Sequence, residues 1–328
     1  MKKSIAFVLF LFLFCIFIHA SYGQIDHIRF AAPLLYGVEP APGHIAGADF
    51  NGDGSCDFVV ASILEGGGDL LISDGNGGYA RSSNRQDGEA TMSITLDFNN
   101  DGWEDYAIVT NKGVRVVKNH MGIGWSVKTY FQYYQGFITT VTGPISFCAA
   151  DFDADGFTEI AVAIVEPDTK EQVLKCIENN AGVLAEDTTA YALTDGPSYE
   201  HLRSIATGDF NSDGWPDVAV SFTDAKKLSL LLNDGSGGFA APFMTDLDVQ
   251  AWMIVAEDFD HDGMSDIAVG SQTDKAIKVL LSKGDASFTA LDNLALGDAL
   301  YSLGTADLDG DGDADLYANS ADNLFTSW

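Results

Sequence analysis

The chain has 328 residues, 46% of them hydrophobic, and carries 48 Asp and Glu against 17 Lys and Arg, a formal net charge of -31. A polyanion binds through a basic footprint, so nucleic acid is excluded as a partner. The length suits two average domains or one large all-β closure.

Lys2 and Lys3 open the chain, an apolar run follows from Ile5 to Ile18, and small residues stand at Ala20, Ser21 and Gly23. This order predicts a secretory signal peptide over residues 1–23. The other reading, an uncleaved anchor, meets a run of only about 14 to 16 residues where roughly 20 cross a bilayer. Removal takes away two lysines and no acid, so -31 becomes -33. No later segment is apolar and long enough to span, so residues 24–328 are expected to be secreted or periplasmic. Cys56, Cys148 and Cys176 remain, an odd number without the spacing of a disulfide framework, and are read as unpaired, mostly buried thiols.

HIRFAAPLLY (27–36) reads as a strand, and its Phe-Ala-Ala-Pro returns at 239–242. A nine-residue pattern, DxDxDGxxD, then recurs six times. It reads DFNGDGSCD from Asp49, DFNNDGWED from Asp97, DFDADGFTE from Asp151, DFNSDGWPD from Asp209, DFDHDGMSD from Asp258 and DLDGDGDAD from Asp307, at intervals of 48, 54, 58, 49 and 49 residues. Around each copy lie a short apolar stretch such as SIATG (204–208) and an alternating one such as DVAVSF (217–222). These predict strand, loop, strand. A third apolar run, DLLISDG or LSLLLND, ends in a Gly-rich turn, and a fourth segment such as FAAPFMTDL (239–247) follows. Four antiparallel strands per unit of about 50 residues are the content of one propeller blade. The fold expected is therefore an all-β, six-bladed β-propeller with four-stranded blades. The last repeat stops after its third strand, NLFTSW, and the N-terminal strand at 27–36 is expected to complete it, which removes open sheet edges.

The loops carry oxygen ligands at positions 1, 3, 5 and 9, a backbone carbonyl at 7 and Gly at 6, a set that suits a hard cation of calcium's size. In the first loop these are Asp49, Asn51, Asp53, the Ser55 carbonyl and Asp57; in the second, Asp97, Asn99, Asp101, Trp103 and Asp105; in the third, Asp151, Asp153, Asp155, Phe157 and Glu159. In the fourth they are Asp209, Asn211, Asp213, Trp215 and Asp217; in the fifth, Asp258, Asp260, Asp262, Met264 and Asp266; in the sixth, Asp307, Asp309, Asp311, Asp313 and Asp315. The 24 side-chain positions hold 21 carboxylates and three Asn, a density that is unfavourable without a cation. Up to six structural Ca2+ ions are expected, against the alternative of metal-free polar turns held by Asx hydrogen bonds. Position 12, where an EF-hand places a bidentate Glu, is Val60, Ile108, Val162, Val220, Val269 and Ala318, so the cage closes at position 9 and a strand follows.

These loops, with the Gly-Gly-Tyr and Gly-Gly-Phe turns at 77–79 and 237–239, resemble the FG-GAP or VCBS repeats of integrin alpha-subunit propellers and secreted bacterial proteins. The resemblance covers residues 27–328 and implies metal loops on one face with ligands met on the other. On that opposite face, six residues before each first Asp, lie Gly43, Thr91, Ile145, Arg203, Trp252 and Tyr301. With Tyr199 and His201, the last three make an aromatic and basic sector, and His201, Arg203, Trp252 and Tyr301 are the candidate ligand site. Aromatic rings beside polar groups suit a sugar; the alternative is that they plug a narrow channel. FQYY (131–134) is a second aromatic group.

Two functions stay open. One is a non-catalytic binding or adhesion module for an extracellular glycan or protein. The other is a polysaccharide lyase, with Tyr301 or His201 abstracting a proton and Arg203 neutralising the adjacent carboxylate, although no GxSxG or HExxH signature is present.

Overall fold

The apolar stretches flanking each loop pair antiparallel, and the loop is the turn between them. A computed structural model describes residues 42–62, 67–76, 78–85, 90–110, 113–120, 125–130, 146–165, 171–186, 189–195, 202–223, 226–306, 314–320 and 324–327. Among these there are strands and turns and no α-helix. The chain divides into two compact units, the first built on residues 29–141 with 179–186, the second on 142–178 and 187–328.

In the first unit, β1 (Pro42–Ala48), β2 (Asp57–Ser62), β3 (Gly67–Ser73) and β4 (Tyr79–Arg85) form one four-stranded sheet in chain order. A second sheet takes β5 (Ala90–Leu96), β6 (Asp105–Thr110), β7 (Gly113–Asn119) and β8 (Trp125–Tyr130), again in order. Phe50, Val59 and Leu70 of the first sheet share a core with Tyr106, Ile108 and Val117 of the second. Phe50 is fully buried and meets Tyr106 and Trp125 edge-on, with ring centroids 5.9 and 5.8 Å away.

The second unit begins with β9 (Ser146–Ala150), β10 (Glu159–Val165) and all but the last two residues of β11 (Gln172–Asn180); β12 (Val183–Glu186) belongs to the first unit, and β13 (Tyr191–Ala192) pairs with β11. Next come β14 (Leu202–Gly208), β15 (Asp217–Phe222), β16 (Lys227–Leu231) and β17 (Phe243–Asp246), a four-stranded sheet in order. The following sheet runs β18 (Met253–Glu257), β19 (Asp266–Ser271), β20 (Ala276–Ser282), β21 (Phe288–Ala290), with β22 (Leu294–Ala295) also on β20. The last has β23 (Leu300–Ala306), β24 (Asp315–Ser320) and β25 (Leu324–Ser327). Residues 27–36, expected to add a strand to it, lie outside the described residues.

The outer strand of the β18–β22 sheet is broken in two where a single strand was expected. Its residues are largely exposed, so little burial pins their register. The second strand is the opposite case in four of the repeats. β2, β6, β15 and β19 are buried at every residue, so the alternation in the sequence separates large from small and not inside from outside. Val218, Val220 and Phe222 of β15 share a core with Ala161 and Ala163 of β10, while Ala219 shares one with Ile267 and Val269 of β19. Large side chains of one sheet fill the space left by alanines of the sheet before it, the interdigitation that close packing requires.

Cys148 and Cys176 both stand opposite Ala161, on the two strands flanking it. Two strand spacings separate their Cα atoms by about 9 to 10 Å, beyond disulfide reach; both thiols are buried and neither forms a disulfide. Burial pushes the Cys148 thiol up.

Candidate functional site

The first five loops share one backbone. Position 6 is left-handed in each, with φ of 81, 82, 90, 87 and 85° at Gly54, Gly102, Gly156, Gly214 and Gly263. A Cβ there would meet nothing within 4 Å, so conformation and not space demands glycine. Position 4 is also left-handed, although Asn100, Ala154, Ser212 and His261 occupy it in four of the five. Each first Asp turns inward onto the loop: Asp49 Oδ1 accepts from Gly52 N at 2.7 Å and Asp49 Oδ2 from Gly54 N at 2.8 Å. Asp97, Asp209 and Asp258 accept the same position-6 N–H at 2.7 to 2.9 Å. The side chains at positions 3 and 5 line the outer rim, as where Asn211 Nδ2 donates to Asp213 Oδ2 at 2.8 Å.

Position 9 has a second duty that the motif does not advertise. Asp57, Asp105, Asp217 and Asp266 are completely buried. One oxygen of each accepts the N–H of position 2 (Phe50, Phe98, Phe210 and Phe259), and the other accepts the N–H of the residue ending the third strand (Ser73, Asn119, Asn233 and Ser282). The carboxylate therefore ties the loop to the far side of its own sheet. Burial pushes the Asp105 and Asp217 carboxyls up to about 6 against the opposing pull of these N–H groups, and raises Asp57 and Asp266 as well.

The residue that ends the third strand also reaches the preceding repeat. Asn119 Nδ2 donates to the Phe50 carbonyl at 2.6 Å, Asn179 Nδ2 to Phe98 at 2.8 Å, Asn233 Nδ2 to Phe152 at 2.8 Å, and Ser282 Oγ to Phe210 at 3.1 Å. Position 2 of a loop is thus held by its own sheet through its N–H and by the next repeat through its carbonyl. Neighbouring loops touch as well: Ser265 Oγ accepts from Asp209 N at 3.1 Å and Ser265 N donates to Asp209 O at 3.0 Å.

The third loop differs. Glu159 accepts from Phe152 N at 2.7 Å through Oε2, but its buried Oε1 and the buried Oδ1 of Asp151 have no hydrogen-bond partner. Burial and the neighbouring Asp153, Asp151 and Asp155 push Glu159 up to about 7. Ligand oxygens of Asp151, Asp153 and Glu159 lie within 4.8 Å of one another, as do those of Asp258, Asp260 and Asp262 in the fifth loop. A buried carboxylate oxygen without a donor is costly, and two facing one cluster of acids fit a hard cation. The donor set, all oxygen, fits calcium. Asp307, Asp309, Asp311 and Asp313 lie outside the described residues; Asp315 begins β24.

At the other end of the first strands the ladder slips. Leu202 and Ser204 pair with Phe222 and Ser221, and Leu300 and Ser302 with Ser320 and Asn319, leaving Arg203 and Tyr301 as bulged residues. The same slip falls at residues 43 and 91. A bulge turns a side chain out of the ladder, so four of the six positions singled out before the loops, 43, 91, 203 and 301, are set apart from their ladders. Trp252 precedes β18 directly, fixed by its N–H to the Gly270 carbonyl at 2.9 Å. The Arg203 guanidinium carbon lies 3.5 Å from the Trp252 ring centroid, and Trp252 itself packs beside Ala268, Leu300 and Leu303. Tyr301 is 55% exposed. The structure therefore joins Arg203 to Trp252 and places Tyr301 on the neighbouring repeat, while His201, Tyr199, Ile145 and residues 131–134 lie outside the described residues.

The sequence pattern of the FG-GAP-like repeat matches residues 97–162, 209–269 and 258–318, together more than half of the chain. The chain belongs to the FG-GAP-like repeat family. A search of curated proteins finds no relative of it. Among solved structures it is similar to a lectin of Agrocybe aegerita, described for specific recognition of non-reducing terminal N-acetylglucosamine, at a TM-score of 0.55 and 18% identity over 83% of this chain and 73% of the lectin. It is also similar to the Photorhabdus luminescens Tc holotoxin pore, at a TM-score of 0.44 and 15% identity over 86% of this chain and 14% of that one. The FG-GAP-like repeats thus sit on an all-β fold of separate antiparallel sheets shared with the lectin. Among the described residues no helix is long and apolar enough to cross a membrane.

Proposed function

We propose that the chain is a calcium-held, six-bladed β-propeller, exported after loss of residues 1–23, that serves as a non-catalytic module binding an extracellular glycan. The observation that carries this reading is the division of labour within each repeat. Loop carboxylates at one end are absorbed in holding backbone and, in the third and fifth loops, gathered as a cation would require. The opposite end places side chains of different chemistry, Arg203 and Tyr301, at a bulge, the arrangement of a scaffold that presents a variable surface. Asp151, Asp153 and Glu159 would hold an ion in the third loop. Bound calcium supplies positive charge that lets neighbouring carboxylates stay ionised together. A lectin on a similar fold supports a sugar as the ligand.

The test is a glycan-array screen of residues 24–328 with calcium and again with excess chelator, with the melting curve recorded in both. Calcium-dependent glycan binding and a markedly lower melting temperature in chelator are expected. A blank array on folded, calcium-loaded protein would reject the glycan ligand, and an unchanged melt would reject the structural ion.

A further inference from the structure

A cation in a chain with this excess of acid ordinarily finds a carboxylate. In the two sheets β14–β17 and β18–β22, Lys226 pairs with Asp274 at 3.7 Å, Lys275 with Asp298 at 3.8 Å, Lys278 with Asp248 at 3.0 Å, and Lys227 with Asp246. Arg203, in the same pair of sheets, is half-buried and lies on the face of Trp252, with no hydrogen bond or ion pair to a carboxylate among the described residues. Burial lowers its pKa from the ordinary value, so the charge is partly desolvated. Stacking on an indole fixes the plane of a guanidinium and leaves its edge free. A planar fork of N–H donors held in this way matches an oxyanion bidentately. Trp252 cannot then offer that ring face to a sugar, because Arg203 covers it, and the ring acts as the support of the arginine. The bulge at residue 203 is what turns the side chain away from its own ladder and onto the ring.

We propose that Arg203, positioned by Trp252, receives the anionic group of an acidic sugar, a carboxylate or a sulfate, so that the ligand class of this face is acidic and not neutral glycan. This rests on the reading of the chain as a glycan-binding module and narrows it. Ligand would satisfy the guanidinium edge, and Tyr301, exposed on the next repeat, is the ring left free for a sugar face.

The experiment is a titration of residues 24–328, calcium-loaded, with three probes: trigalacturonate, its carboxyl-reduced counterpart galactotriose, and galactose 6-sulfate. Trigalacturonate or the sulfate is expected to bind and galactotriose to bind at least tenfold more weakly, the two charged probes separating carboxylate from sulfate. Arg203→Gln should weaken the charged probe about 10- to 100-fold, as loss of a charge-assisted hydrogen bond does, without shifting the melting temperature. Trp252→Ala should weaken it less and Trp252→Phe should restore most of the loss, which a merely structural role for the ring would not give. Equal binding of charged and neutral sugars, or full binding by Arg203→Gln, overturns the acidic class and leaves the glycan module standing. No binding of any sugar, here and on the array, overturns both.

Discussion

The two ends of each repeat obey different rules. At the loop end, position 9 is buried in the first five copies, position 2 is Phe in five of six, and the residue closing the third strand is Asn or Ser in each of the first five. At the bulge end, the corresponding residues are Gly43, Thr91, Ile145, Arg203, Trp252 and Tyr301, which share no chemistry. The difference teaches that repetition marks what the fold needs and variation marks what the fold can spare for a partner. A few hydrogen bonds made many times hold the sheets, and a position that only has to leave the ladder is free to change.

The sharpest way to break this comparison is to cut a position-9 strut. Asp217→Ala leaves the N–H groups of Phe210 and Asn233 buried without acceptors, and a loss of about 2 to 5 kcal/mol is expected in chelator-free denaturant unfolding. Tyr301→Ala, at the exposed end, should stay within about 0.5 kcal/mol of the parent. Equal losses would show that the two ends are not distinct. A smaller effect comes from cutting one cross-repeat tie. Asn119 Nδ2 donates to the Phe50 carbonyl at 2.6 Å. Asn119→Ala is therefore expected to cost about 1 to 3 kcal/mol, read from paired urea melts.

The smallest effect concerns a half-buried histidine next to the bulge at residue 43. His44 Nδ1 lies 3.1 Å from Ser93 Oγ and accepts from Ser93 N at 3.3 Å, and burial lowers its pKa from 6.5. The unfolded chain binds this proton more readily, so the stability it contributes is present above about pH 6.5 and lost as pH falls toward the folded value. His44→Gln should flatten the melting temperature between pH 6.5 and pH 5 relative to the parent. An unchanged slope would assign that acid sensitivity to other groups.

Much of this was readable in the residues. Six loops at near-even spacing announced strand pairs around a tight turn, and Gly at position 6 announced the left-handed backbone. The cross-repeat ties were not, although Asn119, Asn179, Asn233 and Ser282 stood in plain view before their turns. Their acceptors are backbone carbonyls 69 to 81 residues away, and a carbonyl has no letter in a sequence. Position 9 was half legible. Its acid suited a ligand, but accepting two backbone N–H groups depends on burial that a motif does not record. The same holds for Trp252, where the residue type suggested a sugar platform and only geometry showed an arginine lying on it.

The ties between repeats bear on how such a chain lengthens. Because the Asn of one repeat completes the loop of the repeat before it, and offers its own loop to the repeat after it, a segment of about 50 residues copied in tandem arrives with a hook at one side and an eye at the other. A duplicated copy is joined on both flanks at birth, with no new contact left to evolve. Point changes are then free to accumulate at the bulge end, where no such tie is repeated from copy to copy.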